Sequence, residues 1–173
     1  MTLATHAIAG AALATLVPSH PILGFALGFA AHFPLDALPH YDYPIFSDAI
    51  NPKEPRGMPN GSFLRRAVAN PGALLCDVAD FSLDAAVGVG VSVLFFSAGA
   101  PLVAILCGAL GGILPDPLQF VSKIAPYEPL NSLQRFHQWI HTPNRLRETG
   151  ALALGIVSQL ALVGFILFIR SLL

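Results

Sequence analysis

Charge is scarce in this chain. Asp, Glu, Lys and Arg together make up 11% of its 173 residues, against about 25% in a soluble domain. That leaves too little polar surface to coat a globule in water, so the bilayer is the expected solvent. The formal net charge is -1, and without a basic excess there is no electrostatic footprint for nucleic acid. Cysteine is nearly missing. Cys76 and Cys107 lie in apolar runs without a CxxC spacing and read as buried thiols that say little about redox compartment. The small-residue stretches GAL and GVGV lack the GK[ST] of a phosphate-binding loop. The opening MTLATHAIAGAALATLV has no basic n-region and contains a histidine, so it does not read as a cleavable signal.

What is present is hydrophobic sequence in blocks. Five apolar segments stand out, at residues 3–17, 22–38, 71–98, 101–114 and 150–173. A full span needs ~20 apolar residues, a length only the third and last reach comfortably. The other three are short and carry an ionisable residue at or near one end, as expected of tilted or half-buried helices. Two polar connections remain, at 41–70 and 116–149. The first contains NPKEPRGMPNG, rich in turn residues. Within the second, Leu130, Leu133, Phe136 and Ile140 recur at helical spacing, which predicts an amphipathic helix on the membrane surface. The expected fold is all-α: one domain over 1–173, a polytopic membrane bundle of about five apolar helices plus that surface helix.

Basic residues suggest an orientation. Lys53, Arg56, Arg65 and Arg66 fall in the first connection, and Lys123, Arg135, Arg145 and Arg147 in the second. If all five segments cross, both connections share the side of the N-terminus, and the positive-inside rule makes that side cytoplasmic. A weak repeat relates GFALGFAAHFPLDAL (24–38) to LCGALGGILPDPLQF (106–120). Both are small-residue helices ending in proline and aspartate.

The stretch AHFPLDALPHYD carries the chemistry. His32, Asp36 and His40 recur every four residues, which on a helix is one face; Pro34 and Pro39 interrupt it, so His40 is placed on a turn. The third segment offers Asp77, Asp80 and Asp84, the fourth ends in Asp116, the surface helix carries His137 and His141 as HxxxH, and the first segment holds His6. In the five-span topology all of these reach the cytoplasmic level, and His20 alone falls on the other side. A carboxylate in hydrocarbon costs at least ~2.5–3.5 kcal/mol, and few lysines or arginines stand in these segments to offset it. A divalent cation supplies the missing charge. Imidazole and carboxylate donors suit zinc, with manganese or iron as alternatives, and the number of donors allows two or three ions. The metal set expected is His6, His32, Asp36, His40, Asp80, Asp84, Asp116, His137 and His141, with Asp84 and Asp42 as candidate acid–base residues. Plainer readings stand beside these: His6 as an interfacial histidine, Asp77 and Asp80 as helix-start caps, Asp116 as a turn residue, and Asp48 as a solvated loop residue.

The sequence TH with a following AxAG, a small-residue helix ending HxxxDxxPHxD, then GxxxPD and an HxxxHT element resemble the LexA-binding, inner-membrane-associated hydrolases, a metal-dependent membrane group. That group is distantly similar to zinc-dependent phospholipase C and S1/P1 nucleases. The phospholipase pattern includes HxxxD followed shortly by a histidine, as at His32, Asp36 and His40, and ends in a histidine and an acid four residues apart, where this chain has His137 and His141. The resemblance covers most of residues 4–142 as scattered short motifs. It implies a helical fold, a trinuclear-type zinc cluster and phosphoester hydrolysis.

The leading expectation is therefore a membrane-embedded hydrolase of phosphoesters such as lipid headgroups, with membrane lipid as its partner and no nucleic acid. A metal-ion transporter or channel would need polar residues across the whole membrane, and a non-enzymatic scaffold would hold a closed structural metal.

Overall fold

The computed structural model describes residues 1–42, 45, 70–125, 127–141 and 149–172. Among them are seven helices and no strand: α1 (Leu3–Ala14), α2 (Pro21–Asp36), α3 (Pro71–Phe96), α4 (Leu102–Ile113), α5 (Pro115–Ile124), α6 (Leu130–Ile140) and α7 (Thr149–Ser171). The all-α expectation holds. The five crossings do not all follow. Among the described residues only α3 and the Ala153–Ser171 part of α7 are long and apolar enough to cross a membrane, and a third span exists if α4 and α5, bent by 48°, are one unit. At 12 and 16 residues, α1 and α2 are too short. The second polar connection holds two helices, α5 and α6, where the sequence suggested one. Asp48, Lys53, Arg56, Arg65, Arg66, Arg145 and Arg147 lie outside the described residues, and with them most of the orientation argument.

The helix ends are written locally. Thr2 caps α1 by accepting from Thr5 N–H, and prolines open α2, α3 and α5, where a missing N–H costs nothing. Pro115 and Pro117 cannot donate to the carbonyls four residues back, so the chain bends between α4 and α5. Pro34 sits inside α2, yet the helix runs on to Asp36 and ends before Pro39.

The short helices α1, α2 and α4 form the centre, with α4 packed closely on both others. Small residues permit this approach: a Cβ added at Gly108 would run into the Gly10 carbonyl, and one at Gly28 into the Gly108 carbonyl. Ala7, Ile8, Ala11, Phe96, Ala100, Ile105 and Ala109 fill the core beside that crossing. The long helices α3 and α7 flank it and expose apolar side chains outward, among them Leu83, Val87 and Leu94 on α3 and Leu160, Phe165 and Phe168 on α7. In water such a surface would be an aggregation liability; in lipid it is a lining.

The packing brings three helix ends together. The start of α1, the end of α2 and the end of α4 meet along α3 near Asp84 and along α7 near Gln159. At the other end of the bundle, Arg170 of α7 lies against Gly99 in the turn between α3 and α4. His20 opens α2, a dozen residues before His32, which puts it about 18 Å away along the helix axis.

Candidate metal centre

Asp36 is the hub. It is fully buried at the last turn of α2, and its two oxygens face different partners. Oδ2 lies 3.0 Å from His32 Nε2, 2.8 Å from His137 Nε2 and 3.8 Å from His141 Nε2. Oδ1 lies 3.0 Å from His6 Nε2, 4.0 Å from His40 Nε2 and 2.9 Å from the Met1 nitrogen. Asp42 extends the second group, with His40 Nε2 at 2.9 Å, the Met1 nitrogen at 3.0 Å and His141 Nε2 at 3.8 Å. Asp116, at the start of α5, reaches back to His32 Nε2 at 3.6 Å and His137 Nε2 at 3.9 Å.

Among the described residues two donor sets follow, and they share Asp36. One is His32, Asp36, Asp116 and His137; the other is Asp36, His40 and His141. In the first set five of the six donor separations run from 2.8 to 3.9 Å, and all lie within 4.8 Å. These bracket the ~3.4 Å edge of a tetrahedron with ~2.0–2.1 Å metal–ligand bonds. The two halves of the weak sequence repeat end here, one delivering Asp36 and the other Asp116.

Hydrogen bonding at the far side of each ring decides what the near side presents. His32 Nδ1 is 2.8 Å from the Gly112 carbonyl, which can only accept, so Nδ1 carries a proton and, in the neutral ring, Nε2 offers a lone pair. His40 Nδ1 is likewise 2.6 Å from the Leu38 carbonyl, and its Nε2 faces Asp42 and Asp36. Gln119, one turn after Asp116, donates its amide to Asp116 Oδ1 at 3.2 Å and sits 3.3 Å from His137 Nδ1. In the triangle of His32 Nε2, His137 Nε2 and Asp36 Oδ2, at most one hydrogen on His137 serves three short edges. A cation at the centre of the set would meet all three acceptors, which is the physical case that these residues fit a metal.

At the rim, the Asp42 carboxyl is held below the usual carboxylate range. Burial works against this, but the hydrogen bond from His40 and the positive Met1 nitrogen outweigh it. Burial pushes the His141 imidazole below its ordinary value although Asp36 and Asp42 pull the other way. Both groups are thus in their ligating forms near neutral pH. They are also about a quarter exposed, 28% for Asp42 and 24% for His141, whereas His32, Asp36 and His137 are closed off.

The remaining residues singled out from sequence stand elsewhere. His6 stacks on His32 at 3.8 Å and meets Asp36 Oδ1, but is in neither donor set. Asp84 accepts from Ala4 N–H at 2.8 Å, satisfying one of the orphan donors at the start of α1. Asp80 is exposed on α3, and Asp77 is buried one turn nearer the helix start. Neither Asp80 nor Asp84 joins a donor set among the described residues. Helical spacing put the aspartates on one side of α3 but could not say that the neighbour there would be the start of α1.

Two amides were not anticipated. Gln119 ties Asp116 to His137, and Gln159 of α7 accepts from Thr2 N–H at 3.0 Å while donating to the Tyr41 carbonyl at 3.2 Å. A lone glutamine inside the last apolar segment was the available signal for the second. Ser158, its neighbour, donates to the Pro39 carbonyl and fastens the loop that carries His40.

Gln159 is the seventh residue of the apolar stretch Ala153–Ser171, so the cluster lies about 9 Å along that helix from one end and about 18 Å from the other. Beyond it toward the far end, the centre of the bundle is closed by Ala11, Ile105, Phe96 and the glycine crossing. No family model, no curated protein and no solved structure matches this chain.

Proposed function

We propose that the protein is a membrane-embedded, metal-dependent hydrolase of phosphoesters, with lipid headgroups as the substrate class. The observation that carries this reading is the sharing of Asp36 between two donor sets. A carboxylate common to both sets suits a pair of ions ~3.5–4 Å apart, the spacing used in two-metal phosphoester cleavage. Bound divalent ions, zinc first and manganese or iron as alternatives, supply a Lewis acid for the phosphoryl group and a nucleophile at neutral pH by acidifying water.

The chain's own residues divide the remaining work. His32, Asp116 and His137 with Asp36 form the closed, buried set. His40 and His141 with Asp36 form the set that opens to the rim, where substrate would enter. Asp42, beside His40 and His141, is placed to take or return a proton there. His6 and Gln119 orient Asp36, Asp116 and His137. A position about a third of the way along a 19-residue apolar stretch favours a substrate whose headgroup sits at the lipid boundary. Ion transport is disfavoured by the apolar, glycine-packed centre beyond the cluster. A purely structural metal accounts for the closed set but leaves the partly exposed His141 and Asp42 without a role.

Elemental analysis of protein purified without added metal tests the reading, together with turnover of a phosphodiester and a phospholipid. Two or more equivalents of metal with chelator-sensitive turnover is expected. Bound metal with no turnover on either substrate would replace this reading with the scaffold.

A further inference from the structure

The amphipathic helix α6 has three working faces. One turns His137 and His141 toward the cluster. A second carries Phe136 and Trp139, which are exposed and pack on each other, Phe136 also on Phe33. The third looks across to α5, and between the two helices lies a cleft of about 280 Å³. It is lined by Ser122, Lys123, Asn131, Gln134, Arg135 and Gln138.

Three features of this cleft point to a ligand. Every lining residue is polar in a chain that has few polar residues, two are cationic, and none is acidic. Arg135 pairs with Glu128 at 3.0 Å at the exposed rim, beside the opening. Gln134 is 4% exposed, yet neither its amide nitrogen nor its amide oxygen has a hydrogen-bond partner among the described residues. A buried amide left this way pays its desolvation without return. That cost is recovered only by a molecule able to accept from the nitrogen and donate to the oxygen.

We propose that this cleft binds the headgroup of a phosphate ester that carries a hydroxyl. The phosphate matches the cationic lining and the Gln134 nitrogen; the hydroxyl matches the Gln134 oxygen. Gln134 is one helical turn from His137, and Ser122 is one turn from Gln119, which touches both Asp116 and His137. A bound ester would therefore extend from the cleft to the cluster. The placement of its reacting end rests on the hydrolase reading, whereas the binding itself rests on the cleft alone.

The test uses the full chain in detergent and in nanodiscs, with glycerol 3-phosphate as the soluble probe and short-chain phosphatidylglycerol as the lipid probe. Binding is measured by calorimetry on the parent and on Asp36→Asn after chelation, so that a bound metal contributes nothing. Both proteins are expected to bind, which keeps this result separate from success or failure of the hydrolase reading. Gln134→Met, close in shape and without polar atoms, is expected to weaken binding at least about tenfold while leaving the melting temperature equal or higher. Lys123→Gln is expected to weaken binding in the same direction and to make it less sensitive to salt. Tighter binding of the lipid probe than of glycerol 3-phosphate assigns the cleft to a lipid headgroup, and equal binding assigns it to a free ester. Failure of both probes to bind the chelated parent overturns the proposal. So does a Gln134→Met variant that melts lower and binds unchanged, which would make Gln134 a structural residue.

Discussion

His32 and His137, 105 residues apart in the chain, bring their Nε2 atoms to 3.2 Å of each other over the Asp36 carboxylate. Two ring nitrogens meet this closely only if a proton or a metal ion stands between them and the carboxylate. The Gly112 carbonyl has already fixed the His32 proton on the opposite nitrogen. The first consequence concerns the shared carboxylate.

Asp36→Asn should empty both donor sets and abolish metal-dependent phosphoester turnover, while the protein still inserts in the membrane. His141→Ala touches only the set at the rim. It should abolish turnover too, yet keep the metal held by His32, Asp116 and His137. Metal content of the two purified variants separates them: near zero for the first, reduced by about one equivalent for the second. Full metal content and activity in both would remove Asp36 and His141 from the site.

Asp84→Ala should act on stability alone. Its carboxylate receives the Ala4 N–H at the start of α1, a capping interaction worth ~0.5–2 kcal/mol. Metal content and turnover by the folded protein should stay at the parent level while the melting temperature falls. A loss of turnover at unchanged stability would return Asp84 to the catalytic group.

Acid should destabilise the chelated protein. Both the Asp42 and the His141 values are lowered in the fold, so the unfolded chain binds more protons than the folded one between each folded value and its unfolded counterpart. The His141 contribution is present above about pH 6.5 and fades as pH falls below it; the Asp42 contribution is present above about pH 4 and fades below that. Thermal melts of chelated protein from pH 7.5 down to pH 4 should show a falling midpoint across this range. A midpoint that rises as pH falls would contradict the burial of neutral His141.

Gly108→Ala should weaken the centre of the bundle. The new Cβ would meet the Gly10 carbonyl and the Ala14 side chain, and overpacking of this kind costs ~1–3 kcal/mol. Because α4 carries Gly112, the partner of His32, the shift should also lower metal affinity although no donor is touched. Titration with a zinc-buffered indicator measures it; unaltered affinity and melting would show that the crossing has slack.

Much of this site was legible because its donors recur at helical spacing. His32 and Asp36 share a face of α2, and His137 and His141 lie one turn apart at the end of α6. The cost of placing carboxylates in apolar sequence also marked Asp116 correctly as a residue of the cluster end. At Asp80 and Asp84 that cost is met in other ways: Asp80 stays at the surface and Asp84 caps a helix. The lengths of the membrane spans were less legible, since apolar composition does not reveal where a helix turns back. Residues 15–19 end α1 after 12 residues in a sequence whose hydrophobic run continues. Gln119, Gln134 and Gln159 went unread because an uncharged amide raises no alarm in composition, and only their partners, or the lack of them, give them meaning.

The donors of the buried set come from three stretches of chain: His32 and Asp36 from α2, Asp116 from the start of α5, and His137 from α6. During synthesis the first pair emerges about a hundred residues before the last ligand, an interval of at least ~5–20 s at bacterial-to-eukaryotic elongation rates. Until α6 arrives, Asp36 can be compensated only by neighbours earlier in the chain, Met1, His6, His32 and His40 among them. A cation that binds tightly must therefore enter late, and it then fastens the α5–α6 hairpin onto a bundle that has already formed. If a metal occupies the set, its supply would act late in maturation, and metal-starved protein should be inserted in the membrane with the hairpin docked but melting at a lower temperature.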